Sequence, residues 1–259
     1  MTMLASLPFA CAGCASELGF DFTMAFQPIV DVEARSTWGH EALVRGLRGE
    51  GAGAVLSRVT DENRFAFDQR CRVKAVELAT ALSLPGTLSI NFLPNAVYEP
   101  QRCLRTTVEA AERTGFPLER IMFEVTEGER VADRQHLKHI LATYRQCGLT
   151  TAIDDFGAGY AGLTLLAEFQ PDIVKVDMDL TRGIDGDRAR RAIVRGIMGV
   201  CQELSIKVIA EGIETAAEMR ALQDLGVTLM QGYLFARPLT GGLPAVANLA
   251  PGPPTRLRA

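Results

Sequence analysis

The sequence predicts an α/β fold, a TIM-like (β/α)8 barrel whose first strand runs antiparallel to its neighbours. Three observations carry this. Short β-branched or aromatic runs alternate with longer segments of helical period. From the third strand onward each unit takes about 20–35 residues, the size of a βα repeat in a parallel sheet. The join between the first two strands, over residues 33–39, is shorter than the dozen or so residues that a parallel crossover needs, so it reads as a hairpin.

Taken in order, TMAFQPIVDV predicts a strand over 23–32 and HEALVR a second over 40–45. Residues 46–62 hold no strand and suit small helical turns. A helix over 65–83 leads to TLSINFL, a strand over 87–93, and a helix over 101–113 leads to IMFEVT, a strand over 121–126. The pattern then repeats: a helix over 131–147, a strand over 151–156, a helix over 160–167 and a strand over 172–177. A helix over 187–204, a strand over 207–210, a helix over 215–225 and a strand over 228–234 complete it. The last helix opens with Thr215-Ala-Ala-Glu218, a capping box in which each side chain satisfies a free N–H at the helix start. Eight strands so spaced in 259 residues favour one closed barrel over two domains. The expected division is an N-terminal extension over 1–21, the barrel over 22–240 and a Pro-, Gly- and Ala-rich tail over 241–259.

Composition narrows the function. The chain is 47% hydrophobic and 22% charged, which excludes disorder as its overall state. Its net charge of −4, from 31 acidic and 27 basic residues, gives no electrostatic reason to bind polymeric nucleic acid or an anionic membrane. No apolar run reaches the ~18–20 residues that span a bilayer. The first twenty residues carry no Lys or Arg, which a secretory leader needs, so a cytoplasmic protein is expected. Cys71, Cys103, Cys147 and Cys201 stand alone in apolar or helical settings, as free thiols do. Cys11-x-x-Cys14 has half the spacing of a zinc or redox site, and only Cys71 is at hand as a third thiolate.

Function in such a barrel resides at the C-terminal ends of the strands. The polar residues there form a biased set: Glu41, Asn91, Glu124, Asp154, Asp155, Lys175, Asp177, Glu211, Glu214 and Gln231. Most interrupt apolar runs such as IMFEVTE and TTAIDDF. A single such acid is ordinarily a cap or half of a salt bridge. Seven carboxylates with one lysine cannot all be neutralised that way, and divalent cations are the natural remedy. His40 points to the opposite strand face from Glu41, and His136 and His139 fall on a helix whose solvated face suits them. Without imidazole or thiolate, oxygen ligands select Mg²⁺ or Mn²⁺. Adjacent Asp154 and Asp155 suit two ions, the arrangement used for in-line attack on phosphodiesters.

Gly157-Ala-Gly159-Tyr-Ala-Gly162 also matches the dinucleotide fingerprint G-x-G-x-x-G, with Asp177 twenty residues past Gly157. Two acids directly before the first glycine would repel a pyrophosphate, and no new domain starts there. The glycines suit a loop over the site instead.

Phe26-Gln-Pro-Ile29, Glu41-Ala-Leu43-Val-Arg45, Asn91-Phe-Leu-Pro94, Glu124-Val-Thr-Glu127, Asp154-Asp-Phe-Gly157, Val174-Lys-Val-Asp177, Ala210-Glu-Gly-Ile-Glu214 and Gln231-Gly-Tyr233 follow one another in order. Together they resemble the EAL domain, the cyclic-di-GMP phosphodiesterase family. The resemblance implies a barrel with one antiparallel strand, and hydrolysis of cyclic-di-GMP to linear pGpG with two Mg²⁺ or Mn²⁺ ions. It implies that Glu41, Asn91, Glu124 and Asp154 bind one ion, with Asp154 bridging to a second that Asp155, and possibly Glu211, completes. By the same pattern Lys175 orients the attacking water, with Glu211 the alternative general base, and Gln231 holds the site together. Arg45 and Glu214 contact the nucleotide, and Glu127 anchors the glycine loop. The resemblance also implies a homodimer. A catalytically silent cyclic-di-GMP receptor, or a protein-interaction module, is the alternative on this scaffold; such members usually lack an acidic ligand, and every one is here.

Overall fold

The chain reverses direction within its first strand pair. In the computed structural model, which describes residues 18–97, 99–126, 134–159 and 162–247, β1 (Thr23–Asp31) and β2 (Ser36–Arg45) pair antiparallel along their length. The Asp31 carboxylate accepts from the N–H groups of Glu33 and Ala34 at 3.0 and 2.8 Å, and Arg35 takes a left-handed φ of 54°. An aspartate that binds the backbone two and three residues on folds a tight turn. The hairpin is therefore as expected, but its loop is shorter than 33–39 and β2 begins at Ser36 rather than His40. Gly39 looks like a strand boundary in sequence. It lies inside β2 because a Cβ there would come within 2.6 Å of the Thr87 carbonyl oxygen on the neighbouring strand.

After a short helix α1 (Ala52–Leu56), strands and helices alternate. These are α2 (Arg64–Ala81), β3 (Thr87–Asn91), α3 (Pro100–Thr114), β4 (Ile121–Thr126), α4 (Arg134–Gln146), β5 (Thr150–Phe156), α5 (Gly162–Glu168) and β6 (Ile173–Val176). Then come α6 (Met178–Thr181), α7 (Arg188–Glu203), β7 (Lys207–Ala210), α8 (Ala216–Gln223), β8 (Leu229–Gln231) and β9 (Leu239–Thr240). Parallel pairing runs from β2 through β8, and β1 closes the ring antiparallel to both β8 and β2. The TIM-like barrel with an antiparallel first strand is thus the observed fold.

The differences from expectation are local. The third strand ends at Asn91 and the eighth at Gln231, because each chain then leaves the ring. The two-residue β9, too short to read from sequence, pairs with Ala25 and Phe26 of β1. The four-residue α6 is started by Asp177, whose carboxylate accepts from the Asp179 N–H at 2.8 Å. The expected helices over 131–147 and 160–167 are present from Arg134 and Gly162; residues 131–133 and 160–161 lie outside the described residues, as do Cys11 and Cys14. The capping box forms as expected, with Glu218 N–H donating to Thr215 Oγ1 at 3.1 Å and Thr215 N–H to Glu218 Oε2 at 2.9 Å. Among the described cysteines, Cys71, Cys103 and Cys201 are buried and Cys147 is half-buried, and none of these four is in a disulfide. Among the described residues no helix is long and apolar enough to cross a membrane.

Two layers fill the ring. The lower is an apolar plug of Ile29, Met122, Ala152, Ile173, Ile209 and Leu229, with Trp38 against it. Side chains two apart on a strand share a face, so the residue two positions on from each plug member also points inward, one layer nearer the strand ends. Those residues are Glu124, Asp154, Lys175, Glu211 and Gln231. On the reversed β1 the same layer is reached two residues earlier, at Gln27. The outward faces, including Phe123, Ile153, Val174 and Val176, pack under the helices in the main core.

Past β8 the backbone runs close to the loop that follows β7. A Cβ on Gly232 would fall 2.1 Å from the Ile213 carbonyl oxygen and 2.3 Å from its nitrogen. We expect Gly232→Ala to lower the unfolding free energy by about 2–4 kcal/mol, read from urea denaturation; a wild-type midpoint would contradict this packing.

Candidate active site

The upper layer gathers charge around one ammonium. Lys175 Nζ, fully buried, lies 2.8 Å from Glu211 Oε1, 2.9 Å from Glu124 Oε2, 3.0 Å from Asp154 Oδ1 and 3.6 Å from Glu41 Oε2. Glu41 is fixed from two sides: Asn91 Nδ2 donates to its Oε1 at 2.9 Å, and Gln231 Nε2 donates to its Oε2 at 2.7 Å. Gln231 Nε2 also lies 3.2 Å from Gln27 Oε1, and Gln27 Nε2 donates to the Ala236 carbonyl at 3.2 Å.

Asp155 joins this group although it follows Asp154 directly. Neighbouring strand residues ordinarily face opposite sides, but β5 bulges here: Ile153 pairs with Val174 and Phe156 with Val176, three steps against two. Asp155 adopts a left-handed φ of 53° at that point. A bulge re-aims a side chain in this way. Two triads result, Glu41–Glu124–Asp154 and Asp154–Asp155–Glu211, each with one oxygen per residue within 4.8 Å of the others.

Burial and crowding decide protonation. Burial pushes Glu124 up to about 8, the Glu41 and Asp154 charges adding to it while Lys175 opposes. Burial, then the charges of Asp154 and Asp177, lifts Asp155 to about 6. Glu211 is raised well above the carboxylate range by burial, again with Lys175 opposing. Burial alone would discharge Lys175, but the carboxylates around it outweigh that and hold it well above its ordinary value.

Of the residues expected at the site, Glu41, Asn91, Glu124, Asp154, Asp155, Lys175, Glu211 and Gln231 come together. Glu214 stands at the rim of a cavity of about 440 Å³ lined also by Asp155, Glu211, Gln231 and Tyr233, and its carboxylate pairs with Arg182 at 2.5 Å. Arg45 ends β2, its Nη1 donating to the Val44 carbonyl at 2.7 Å. Glu127 lies outside the described residues. His136 corrects the solvated-face expectation: it is half-buried, with Nε2 2.5 Å from the Val97 carbonyl oxygen, whereas His139 is exposed. Gln27, Arg182 and Tyr233 were not foreseen as parts of the site. Gln27 sits opposite Glu41 in the hairpin, and only the true register of the short turn reveals that pairing.

A family model for the EAL domain matches residues 16–238. The chain belongs to the EAL domain family. Among curated EAL relatives it is 30% identical over 235 residues to the blue light- and temperature-regulated antirepressor BluF of Escherichia coli, covering 90% of this chain and 58% of BluF. It is 30% identical over 246 residues to the cyclic di-GMP phosphodiesterase PA2567 of Pseudomonas aeruginosa, covering 92% of this chain and 41% of that protein. The chain thus spans about half the length of these two curated relatives. Among solved structures, a standalone versatile EAL protein from Vibrio cholerae in its c-di-GMP-bound form is 56% identical, with a TM-score of 0.86 over 89% of this chain and 97% of that one. Klebsiella pneumoniae BlrP1, solved with manganese and cyclic-di-GMP, is 36% identical, with a TM-score of 0.81 over 86% of this chain and 57% of that one.

A pH dependence follows for the metal-free protein. Glu124 is raised from 4.5 to about 8, so the folded state holds a proton that the unfolded chain has already released. Its contribution to stability is full below 4.5 and is lost as pH rises towards 8. His40 works oppositely, burial lowering it from 6.5 to about 4, but it is neutral in both states above its ordinary value. In chelator, the thermal midpoint should therefore fall between pH 6.5 and 8, and added Mg²⁺ should flatten the fall. A midpoint that rises across this window would contradict the assignment.

Proposed function

We propose that this chain hydrolyses one phosphodiester bond of cyclic-di-GMP, giving linear 5′-pGpG, with two divalent ions, Mg²⁺ or Mn²⁺, in the acidic layer. The observation that carries the reading is the pair of carboxylate triads sharing Asp154. Their donor set fits such ions. Both triads offer oxygen alone, which suits hard cations. Five carboxylates and one ammonium leave four negative charges when ionised, the number that two divalent cations offset. The names of two EAL relatives, a cyclic di-GMP phosphodiesterase and a protein solved with manganese and cyclic-di-GMP, support the same chemistry.

In this reading Glu41, Asn91, Glu124 and Asp154 hold one ion, and Asp154, Asp155 and Glu211 the other. Asn91 spends its amide N–H on Glu41, which leaves its carbonyl oxygen as the donor. The bound pair supplies charge neutralisation at the phosphate and acidification of the attacking water. Lys175 orients or polarises the attacking water. Glu211, beside the Lys175 ammonium, is the second candidate to take its proton. Gln231 keeps Glu41 in one rotamer, so the first triad is preorganised rather than assembled by the ion. Arg45 and Glu214 meet the nucleotide, a phosphate and a guanine edge being their natural partners. Reaching guanine requires Glu214 to exchange its Arg182 partner. Glu127 anchors the loop after β5.

The catalytic unit is the barrel over 22–240, acting in the cytoplasm as a homodimer. The exposed Ile193, Val200 and Leu204 on and beside α7 support a self-association face. A silent receptor has no use for two complete triads, so the retained acids favour hydrolysis over that alternative.

Incubation of the purified chain with cyclic-di-GMP and Mg²⁺, followed by chromatography, should yield pGpG. Binding without product would overturn the hydrolase in favour of the receptor. Glu41→Ala and Asp154→Ala should reduce turnover to the level of a protein-free control with an unchanged circular dichroism spectrum; full activity in Asp154→Ala would contradict the shared-ligand assignment. Ca²⁺, larger and tolerant of irregular geometry, should bind and inhibit, and faster turnover in Ca²⁺ than in Mg²⁺ would contradict it.

A further inference from the structure

Behind the acidic layer, on the outer face of β3 and β4, lies an ion pair that the reaction does not touch. Asp68 and Arg72, one turn apart on α2, are fully buried, with Arg72 Nη2 2.5 Å from Asp68 Oδ2. Such a pair is costly. Well-packed apolar residues of similar volume are often as stable or more so, so stability does not account for it.

Its contacts do. Asp68 Oδ1 accepts from the Leu93 N–H at 2.9 Å. Leu93 lies two residues past Asn91, where β3 has left the sheet and this donor has no strand partner. One residue earlier, Phe92 N–H donates to the Glu124 carbonyl at 3.1 Å. The Phe92 ring packs edge-on against Phe123 and Tyr144, with centroids 5.8 and 5.5 Å away, and Phe123 and Tyr144 are 5.0 Å apart. The Arg72 guanidinium sits 5.7 Å from the Phe123 ring centroid, with Nη1 3.5 Å from the Tyr144 hydroxyl. Asn91 and Glu124 point into the barrel. Phe92 and Phe123, their immediate neighbours, point out into this cluster. Asn91 is itself exposed, so apart from its hydrogen bond to Glu41 its position is set by the backbone that carries it.

We propose that Asp68 is a positioning residue for the metal-binding edge of the site: it pins the end of β3 through Leu93 and so fixes Asn91 against Glu124, with Arg72 as its buried counter-charge. This rests on the hydrolase reading of the same site. Neither residue touches substrate or ion. The hydrogen bond to Leu93 is the part that matters, and the Arg72 charge compensates the one that Asp68 brings into the interior.

Two double variants separate these parts. Asp68→Asn with Arg72→Met removes both charges and keeps an acceptor for Leu93; Asp68→Leu with Arg72→Met removes the acceptor as well. Titration calorimetry with Mn²⁺ on folded protein should give the first an affinity within about threefold of wild type. The second should bind about tenfold or more weakly, the range typical when a partner that orients a ligand is lost. A general loss of stability would lower the unfolding midpoint of both without separating their Mn²⁺ affinities. Equal affinity in the wild type and the acceptor-less variant overturns the inference alone; a wild-type chain that binds no Mn²⁺ overturns the hydrolase reading and this inference with it. If the acceptor-less variant does not fold, the first variant and the wild-type Leu93 amide decide: retained affinity with a slowly exchanging amide supports the inference. A tenfold loss, or an amide that exchanges like an exposed one, overturns it.

Discussion

A single buried ammonium surrounded by carboxylates is the constraint on which this molecule turns. Lys175 touches Glu41, Glu124, Asp154 and Glu211 within 3.6 Å, and one positive charge cannot neutralise that many acids in a dry interior. Such a group must take up protons or cations. Two of its members, Glu124 and Glu211, have raised proton affinities in the metal-free protein. Protonation and cation binding are thus competing answers to one electrostatic problem, and the arrangement of the acids in two triads gives the cations the more complete one.

The fold makes that crowding possible by a two-residue step. Four strands that place an apolar side chain in the plug, at Met122, Ala152, Ile173 and Ile209, place a charged one two positions further on. The plug keeps water out from below, and the strand ends open the layer above to the cavity beside Asp155 and Glu211. Two local irregularities complete the site. The bulge in β5 turns Asp155 to the same side as Asp154, and the tight turn at Asp31 sets Gln27 opposite Glu41.

This two-step pattern is why so much of the site was legible in the sequence. IMFEVTE, TTAIDDF and DIVKVD each show a polar residue within an apolar run at the end of a strand, and the antiparallel first strand followed from the length of one connection. What escaped had physical reasons. Gly39 reads as a break but is demanded by the close approach of β3. The strand β9 has only two residues, too few for any alternation to register. Gln27 joins the site through a register that a four-residue turn decides. The Asp68–Arg72 pair lies on a helix whose i, i+4 charges read like an ordinary solvated pair, and only the packing of α2 against Phe123 and Tyr144 reveals it as buried.

The number of ions held by the acidic layer tests the account most directly. Mn²⁺ titrated into chelator-stripped chain at neutral pH should bind at two sites per chain, with proton release as Glu124 loses its proton. A stoichiometry of zero, or binding without any release of protons, would contradict it.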